Sequence, residues 1–204
     1  MSVESRERTP QGERTRAMRT RLLDATIDCL VERGWSGTTT TLVSQRAGVS
    51  RGAQLHHFPT KRDLVVAAVE YIASKRRAEL ESTADDLPSD RRTRAVLEIL
   101  SDQFTSPVFL AALELWVAAR TDETLREAVG PLEQRIGRET HRQAVTLLGI
   151  DESDEGAREL VQATLDLLRG LGLADTLADD SRRRKRILDV WADTLDETIG
   201  ARSK

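Results

Sequence analysis

Apolar residues recur at three- and four-residue spacing along most of the chain, and no window shows sustained two-residue alternation with β-branched enrichment. The pattern predicts an all-α protein. Leu22, Leu23, Thr26, Ile27, Leu30 and Val31 mark one face of a first helix that starts near residue 14 and closes at Gly34, with Trp35 packed just beyond it. Two short helices follow. The first, over about 39–47, starts at Thr38 or Thr39, whose hydroxyl can accept from a free first-turn amide, and turns Leu42, Val43 and Ala47 inward. Gly48 stops it, because glycine tolerates the left-handed conformation of a helix end, and Val49 plugs the angle beyond. Ser50 caps the second helix, over about 51–58, and Pro59 ends it. A helix of two turns does not persist alone in water, so this one is held by neighbours and presents side chains.

The remaining pattern is also helical. Leu64, Val65, Ala68, Val69 and Ile72 give a wide apolar face to a helix over 61–84, about 30 Å long, which can connect two parts of the molecule. A loop around Pro88 precedes helices over about 91–104, 107–121, 123–149, 154–176 and 181–199. The one beginning at Pro107 is almost wholly apolar and is expected at the centre of its domain. Pro131 predicts a kink or break near Gly130. In the last two helices the apolar stripes, containing Leu160, Thr164 and Leu168, then Leu188, Trp191 and Leu195, are too broad for one neighbour. Pairing them with a second copy in a four-helix bundle makes a two-fold homodimer. A larger intramolecular core is the alternative.

Charge sharpens the division. The net charge is -3, yet residues 1–65 hold 11 Lys and Arg against 7 Asp and Glu, while the remainder holds 20 against 27. The basic excess lies with the two short helices, where phosphates would be met. Arg14, Arg16, Arg19 and Arg21 crowd the head of the first helix, either as a solvated start or against a DNA backbone. No run of about 18 apolar residues exists and the N-terminus is polar, which argues against a membrane span and a signal peptide. The single cysteine, Cys29, has no intramolecular disulfide partner and lies on an apolar helix face, which suits a reducing cytoplasm. Catalytic chemistry finds no support: there is no nucleophile motif, glycine-rich phosphate loop or metal-ligand spacing, and Asp85-Asp86 and Asp179-Asp180 sit in loop-like contexts. His56 and His57 diverge by about 100° on a helix, and the remaining histidine is His141, so neither a metal nor any other cofactor is expected.

The stretch from Thr39 to Leu64, with Ala47-Gly48-Val49-Ser50, then His57-Phe58, Lys61 and Leu64, resembles the helix-turn-helix domain of the tetracycline-repressor (TetR) family of bacterial transcription regulators. The resemblance covers roughly residues 15–65; beyond it, length and helical character agree. It implies a tail at 1–13, a DNA-binding domain at 14–60, and an effector-binding and dimerisation domain at 61–204 joined through the long helix. The implied protein is a ligand-responsive DNA-binding regulator, a repressor that grips a palindromic operator as a dimer and is released by a small-molecule effector. Its helix over 50–58 would enter the major groove, with Thr39, Thr40 and Thr41 meeting phosphate or a base edge. Ser50 starts that helix and Arg51 is its best reader, since the guanidinium fork matches guanine O6 and N7. Gly52 and Ala53 permit close approach, and Gln54 could read adenine if it faces outward. Leu55 departs from the family, which commonly has a tyrosine there on a backbone phosphate. Either Gln54 and Leu55 exchange roles, or Leu55 makes an apolar contact. His56, His57 and Lys61 are phosphate candidates. Phe104, Phe109, Leu113 and Trp116 are the candidate effector lining, with Glu114 or Arg120 as polar anchor. The competing readings are a helical sensor or interaction protein without operator binding, and an enzyme of unrecognised chemistry.

Overall fold

The computed structural model describes residues 11–83, 87–88 and 90–202, and among these residues there are nine α-helices and no strand. They are α1 (Gln11–Gly37), α2 (Thr40–Ala47), α3 (Arg51–His57), α4 (Lys61–Thr83), α5 (Arg92–Phe104), α6 (Pro107–Ala119), α7 (Glu123–Leu148), α8 (Ala157–Ala174) and α9 (Ser181–Arg202). The chain divides into two compact units, Met1–Ile72 and Ala73–Lys204, so that α4 begins in one and ends in the other. The first unit therefore extends past the boundary expected at residue 60. Leu64, Val65, Ala68 and Val69 are buried, which gives the first part of α4 a share in that unit's core.

In the first unit, α1 packs on α2 and α2 on α3. Leu22, Leu23, Ile27, Cys29 and Leu30 form the inward face of α1, whereas Val31, expected with them, is exposed. Thr26 is tolerated in this core because its hydroxyl donates to the Leu22 carbonyl at 2.6 Å. The backbone leaves helical geometry at Gly34 (φ 65°, ψ -177°), the expected stop, and one further turn reaches Gly37. Residues 11–13 belong to α1, which shortens the expected tail. The Thr15 hydroxyl donates to the Gln11 carbonyl at 3.0 Å, and Glu13 lies in the first turn, where a negative charge suits the helix dipole. Residues 1–10 of that tail, and Ala84 to Asp86 of the next helix end and loop, lie outside the described residues.

The core of the second unit is built from α5, α7, α8 and α9, with Val96, Leu97, Leu100, Val161, Leu165, Leu168, Leu188 and Leu195 enclosed. Three expectations are corrected. First, α6 is not enclosed: Phe109, Ala111, Leu115 and Ala119 are buried, but Val117 is 61% exposed, so an apolar composition here covers one buried stripe only. Second, α7 runs unbroken through Pro131. Proline removes one helical hydrogen bond, and both Pro131 and Glu127, whose carbonyl loses its donor, lie on the exposed side where water can answer it. Third, Thr164, Leu168, Leu188 and Leu195 are interior residues, so they do not form a surface for a second copy. Leu160 and Trp191 are half-buried, and the Trp191 indole donates to Thr164 Oγ1 at 3.1 Å. The broad stripes belong in large part to an intramolecular core, the alternative left open by the pattern.

At Gly172 the backbones of α5 and α8 approach closely. A Cβ on Gly172 would fall 2.2 Å from the Phe104 carbonyl oxygen, whereas one on Gly170 would meet nothing within 4 Å. Gly172→Ala is expected to lower stability by about 1–3 kcal/mol through overpacking against a fixed backbone. Gly170→Ala, free of that contact, should raise stability by up to about 1 kcal/mol through helix propensity. Urea midpoints of the two variants test the contrast.

Candidate nucleic-acid interface

Thr39 is the cap of α2, its hydroxyl accepting from the Leu42 amide at 3.1 Å. Thr39 and Thr41 are exposed and Thr40 half-buried, with the Thr40 carbonyl receiving the Ser44 hydroxyl at 2.8 Å. Gly48 ends α2 in the left-handed region (φ 62°, ψ 38°), and the Val49 amide donates back to the Ser44 carbonyl at 3.0 Å. An L-residue there would be strained, so glycine sets the angle between the short helices. Ser50 then caps α3, accepting from the Ala53 amide at 3.2 Å. Phe58 closes it in an extended conformation.

The rotation of α3 about its own axis decides which side chains are available. Gln54 is 0% exposed, and its Nε2 donates to the Phe58 carbonyl at 2.6 Å. It is not available to read adenine in this conformation, which corrects its place among the base readers. Leu55 is 40% exposed. The two residues have not exchanged roles: Gln54 packs, and Leu55 occupies the outward place. Arg51, Gly52, Leu55 and His56 lie on the open face, with Ala53 and His57 half-buried at its edges. The His56 and His57 rings meet edge to face at 5.3 Å. Among the described residues no group of three or more metal-ligating side chains is present.

Lys61 is half-buried and has partners within the unit. Its ammonium donates to the Trp35 carbonyl and lies over the Trp35 ring at 4.0 Å from the centroid, and burial pushes its pKa down. The charge is directed inward, binding the end of α1 to the start of α4. Arg46 is committed to structure in the same way, pairing with Glu32 at 2.6 Å and Asp28 at 3.4 Å and so tying α2 to α1. Arg19, one of the four arginines at the head of α1, has its guanidinium over the Phe58 ring at 5.5 Å. No local sequence signal reports a contact across so many residues.

In the second unit, Phe104, Phe109 and Trp116 form an edge-to-face chain with centroids 5.6 and 5.9 Å apart. Phe104 and Phe109 are buried, while Leu113 is half-buried. Glu114 and Arg120 are exposed. A polar group on the rings is Glu133 of α7, which accepts from Trp116 Nε1 at 3.0 Å. Burial pushes its carboxyl pKa up, against the opposing effects of the Trp116 hydrogen bond and the nearby Arg169 charge. Arg169 lies over the Phe104 ring at 5.6 Å. Sequence reasoning passed over Glu133 because it lies on a charged helix 17 residues from its partner.

A substitution at Gln54 probes the lock on α3. In Gln54→Glu the acid can donate to the Phe58 carbonyl only when protonated, so folding raises its pKa above the ordinary value of about 4.3. The stability it supplies is present below that value and lost as pH rises through the folded-state pKa. The variant should be destabilised by about 1–3 kcal/mol near pH 7 relative to the parent and recover toward pH 4. Denaturation midpoints of both proteins across pH check this.

Comparison with known proteins agrees with the geometry. Residues 22–68 match the family described as bacterial regulatory proteins, tetR family. The chain is 30% identical over 190 residues to the HTH-type transcriptional regulator CymR of Pseudomonas putida, covering 90% of this chain and 91% of that one. A crystal structure of a putative transcriptional regulator from Pseudomonas aeruginosa PAO1 superposes with a TM-score of 0.64 at 25% identity, covering 96% of this chain and 97% of that one. The fold is shared with the regulator FadR of Bacillus subtilis, solved in complex with stearoyl-CoA, at a TM-score of 0.65 and 14% identity over 86% of this chain and 96% of that one. A helix pair that turns at a left-handed glycine and keeps one short helix open to solvent thus sits in a chain that belongs to the tetR family of bacterial regulatory proteins, and the protein is a DNA-binding transcriptional regulator.

Proposed function

We propose that the protein acts in the cytoplasm as a ligand-responsive repressor that grips a palindromic operator as a homodimer and lets go when a small-molecule effector binds. The observation that carries this reading is the exposure of Arg51, Gly52, Leu55 and His56 on α3 while Gln54 is turned inward and anchored to the Phe58 carbonyl. In this reading the DNA-binding domain spans 14–60, α4 links it to the effector-binding and dimerisation domain at 61–204, and Thr39 to Thr41 with Ser50 flank the reading helix. Arg51 pairs with guanine, and Leu55 meets a thymine methyl or a sugar. His56 and His57 meet phosphates, which position the protein without reading sequence. The half-sites of such an operator lie about 34 Å apart. An effector can release the protein only by binding better to a conformation whose reading helices do not match that spacing.

The effector region lies at the aromatic chain of Phe104, Phe109 and Trp116, with Leu113 beside it. Glu133 and Arg169, in place of Glu114 and Arg120, are its polar groups. Support comes from a half-buried acid, Glu133, whose pKa is raised by desolvation beside aromatic rings, an arrangement common at binding sites. FadR, solved with stearoyl-CoA, shares the fold.

The dimer face proposed is the outer side of α8 and α9. A groove of about 460 Å³ runs between them, lined by Leu167, Arg183, Arg186, Ile187, Val190 and Trp191. Val190 is 68% exposed. The outer face of α9 is basic before Val190, at Arg183 and Arg186, and acidic after it, at Asp193 and Glu197. Neither Asp193 nor Glu197 has a hydrogen bond or ion pair among the described residues. In an antiparallel two-fold pairing centred on Val190, Arg183 of one copy faces Glu197 of the other, so the charges complement each other. The residues Ala163, Gly170 and Ala174 on the open side of α8 are small enough for close helix approach.

Two experiments test the reading. Arg51→Ala should relax base preference at one operator position by about 1–3 kcal/mol, with unchanged binding to arbitrary duplex; equal losses on every sequence would contradict its reading role. Val190→Glu should shift the protein from dimer to monomer in sedimentation analysis without unfolding it, and weaken operator binding. A variant that remains dimeric would remove this face from consideration.

A further inference from the structure

A second groove lies wholly within the first unit, between α1 and α4. Its volume is about 330 Å³; Arg16, Arg19, Thr20, Glu70 and Tyr71 line it, and Leu23 lies at its apolar floor. Arg16 and Arg19 are three residues apart, so their guanidiniums share one helix face and repel each other. Among the described residues neither has a hydrogen bond or an ion pair; the one contact is that of Arg19 with the Phe58 ring. Two other cations of this unit are answered: Arg46 by Glu32 and Asp28, and Lys61 by the Trp35 carbonyl and ring. Two unanswered positive charges above a shallow groove, with Glu70 as the single acid of the lining, leave one net positive charge there.

We propose that this groove is a seat for a backbone phosphate of the bound DNA. The proposal rests on DNA binding by the protein and goes beyond it by assigning a contact outside the helix-turn-helix. A phosphodiester offers two anionic oxygens to paired guanidiniums, and Thr20 adds a hydroxyl donor. The second independent observation is the stacking of Arg19 on Phe58, the residue whose carbonyl holds Gln54 at the end of α3. A phosphate taken by Arg19 therefore bears directly on the segment that fixes the rotation of α3. Arg16 and Arg19 position the reading helix on the duplex and read no base themselves.

The contact is independent of sequence, so a short duplex of arbitrary sequence is a sufficient probe. In the full chain, Arg16→Gln with Arg19→Gln should make the plot of log affinity against log salt shallower by about 0.9 for each phosphate no longer neutralised, one per protomer. The double lysine variant, which keeps the charge, should restore the slope. Tyr71 is the single tyrosine of the chain. With 3-fluorotyrosine incorporated, its one fluorine resonance should move when duplex is added to the parent and stay in place in the glutamine variant, whose circular dichroism should match the parent. A glutamine variant that binds the duplex with the parental slope would overturn the seat. So would a fluorine shift produced equally by inorganic phosphate at matched ionic strength with no change of slope, which would assign the groove to a free anion. Failure of the unaltered protein to bind any duplex would overturn the DNA-binding reading itself, and the seat with it.

Discussion

The hydrogen bond from the Gln54 amide to the Phe58 carbonyl is the constraint on which the use of α3 depends. A helix of seven residues has few internal bonds and no stability of its own. Its rotation has to be set from outside. Gln54 does this by entering the core and satisfying a carbonyl that the helix end leaves free, at a point where Pro59 supplies no amide. Once Gln54 is inside, Gly52, Leu55 and His56 are outside as a matter of geometry, because they lie about 100° or more around the same short helix from it, while Arg51, three residues before Gln54, is exposed because it stands at the open first turn. Phe58 adds a second restraint by filling the core with its ring while Arg19 covers it.

Around this lock the first unit is held by interactions that occupy several of its charges. Arg46 ties α2 to α1 through Glu32 and Asp28, and Lys61 ties the start of α4 to the end of α1 through Trp35. Both residues would count as phosphate partners in a tally of basic side chains. The structure separates them from cations such as Arg16 and Arg51, which have no hydrogen bond or ion pair among the described residues. Charge excess in a segment is therefore a weak guide to which residues meet DNA; the pairing state of each cation is a stronger one.

The second unit shows the same economy with apolar surface. Its core uses the inner halves of α8 and α9, drawn against α5 by Gly172, and leaves Leu167, Ile187, Val190 and Trp191 partly or wholly open. Arg94 fixes the register of α5 against α9 through Asp189 at 2.7 Å. The exposed remainder of α9 changes sign of charge along its length, with Arg183 paired to Asp180 within the chain and Asp193 and Glu197 without an ion pair among the described residues. In the aromatic chain of α5 and α6, the polar partner comes from α7, so the candidate effector region depends on helices brought together by the whole core.

Much of this was legible from residue order. Local rules suffice for Gly48, Ser50 and Pro59, because capping, left-handed turns and proline breaks depend on neighbours within four residues. Periodicity suffices for the inward faces of α1, α4 and α5, Val31 apart, since a side chain's facing follows from helix rotation once one face is known. What periodicity left open was the outcome where a face is wide or a residue is amphipathic. Whether Gln54 or Leu55 faces out, whether Lys61 points to solvent or to Trp35, and whether Leu188 meets its own chain or a second copy depend on groups beyond the local helix. Those choices were decided by the tertiary structure, because burial and pairing are properties of the assembled neighbourhood. The order of residues determined the helices and the turn between them; packing determined which of their side chains remain free to act.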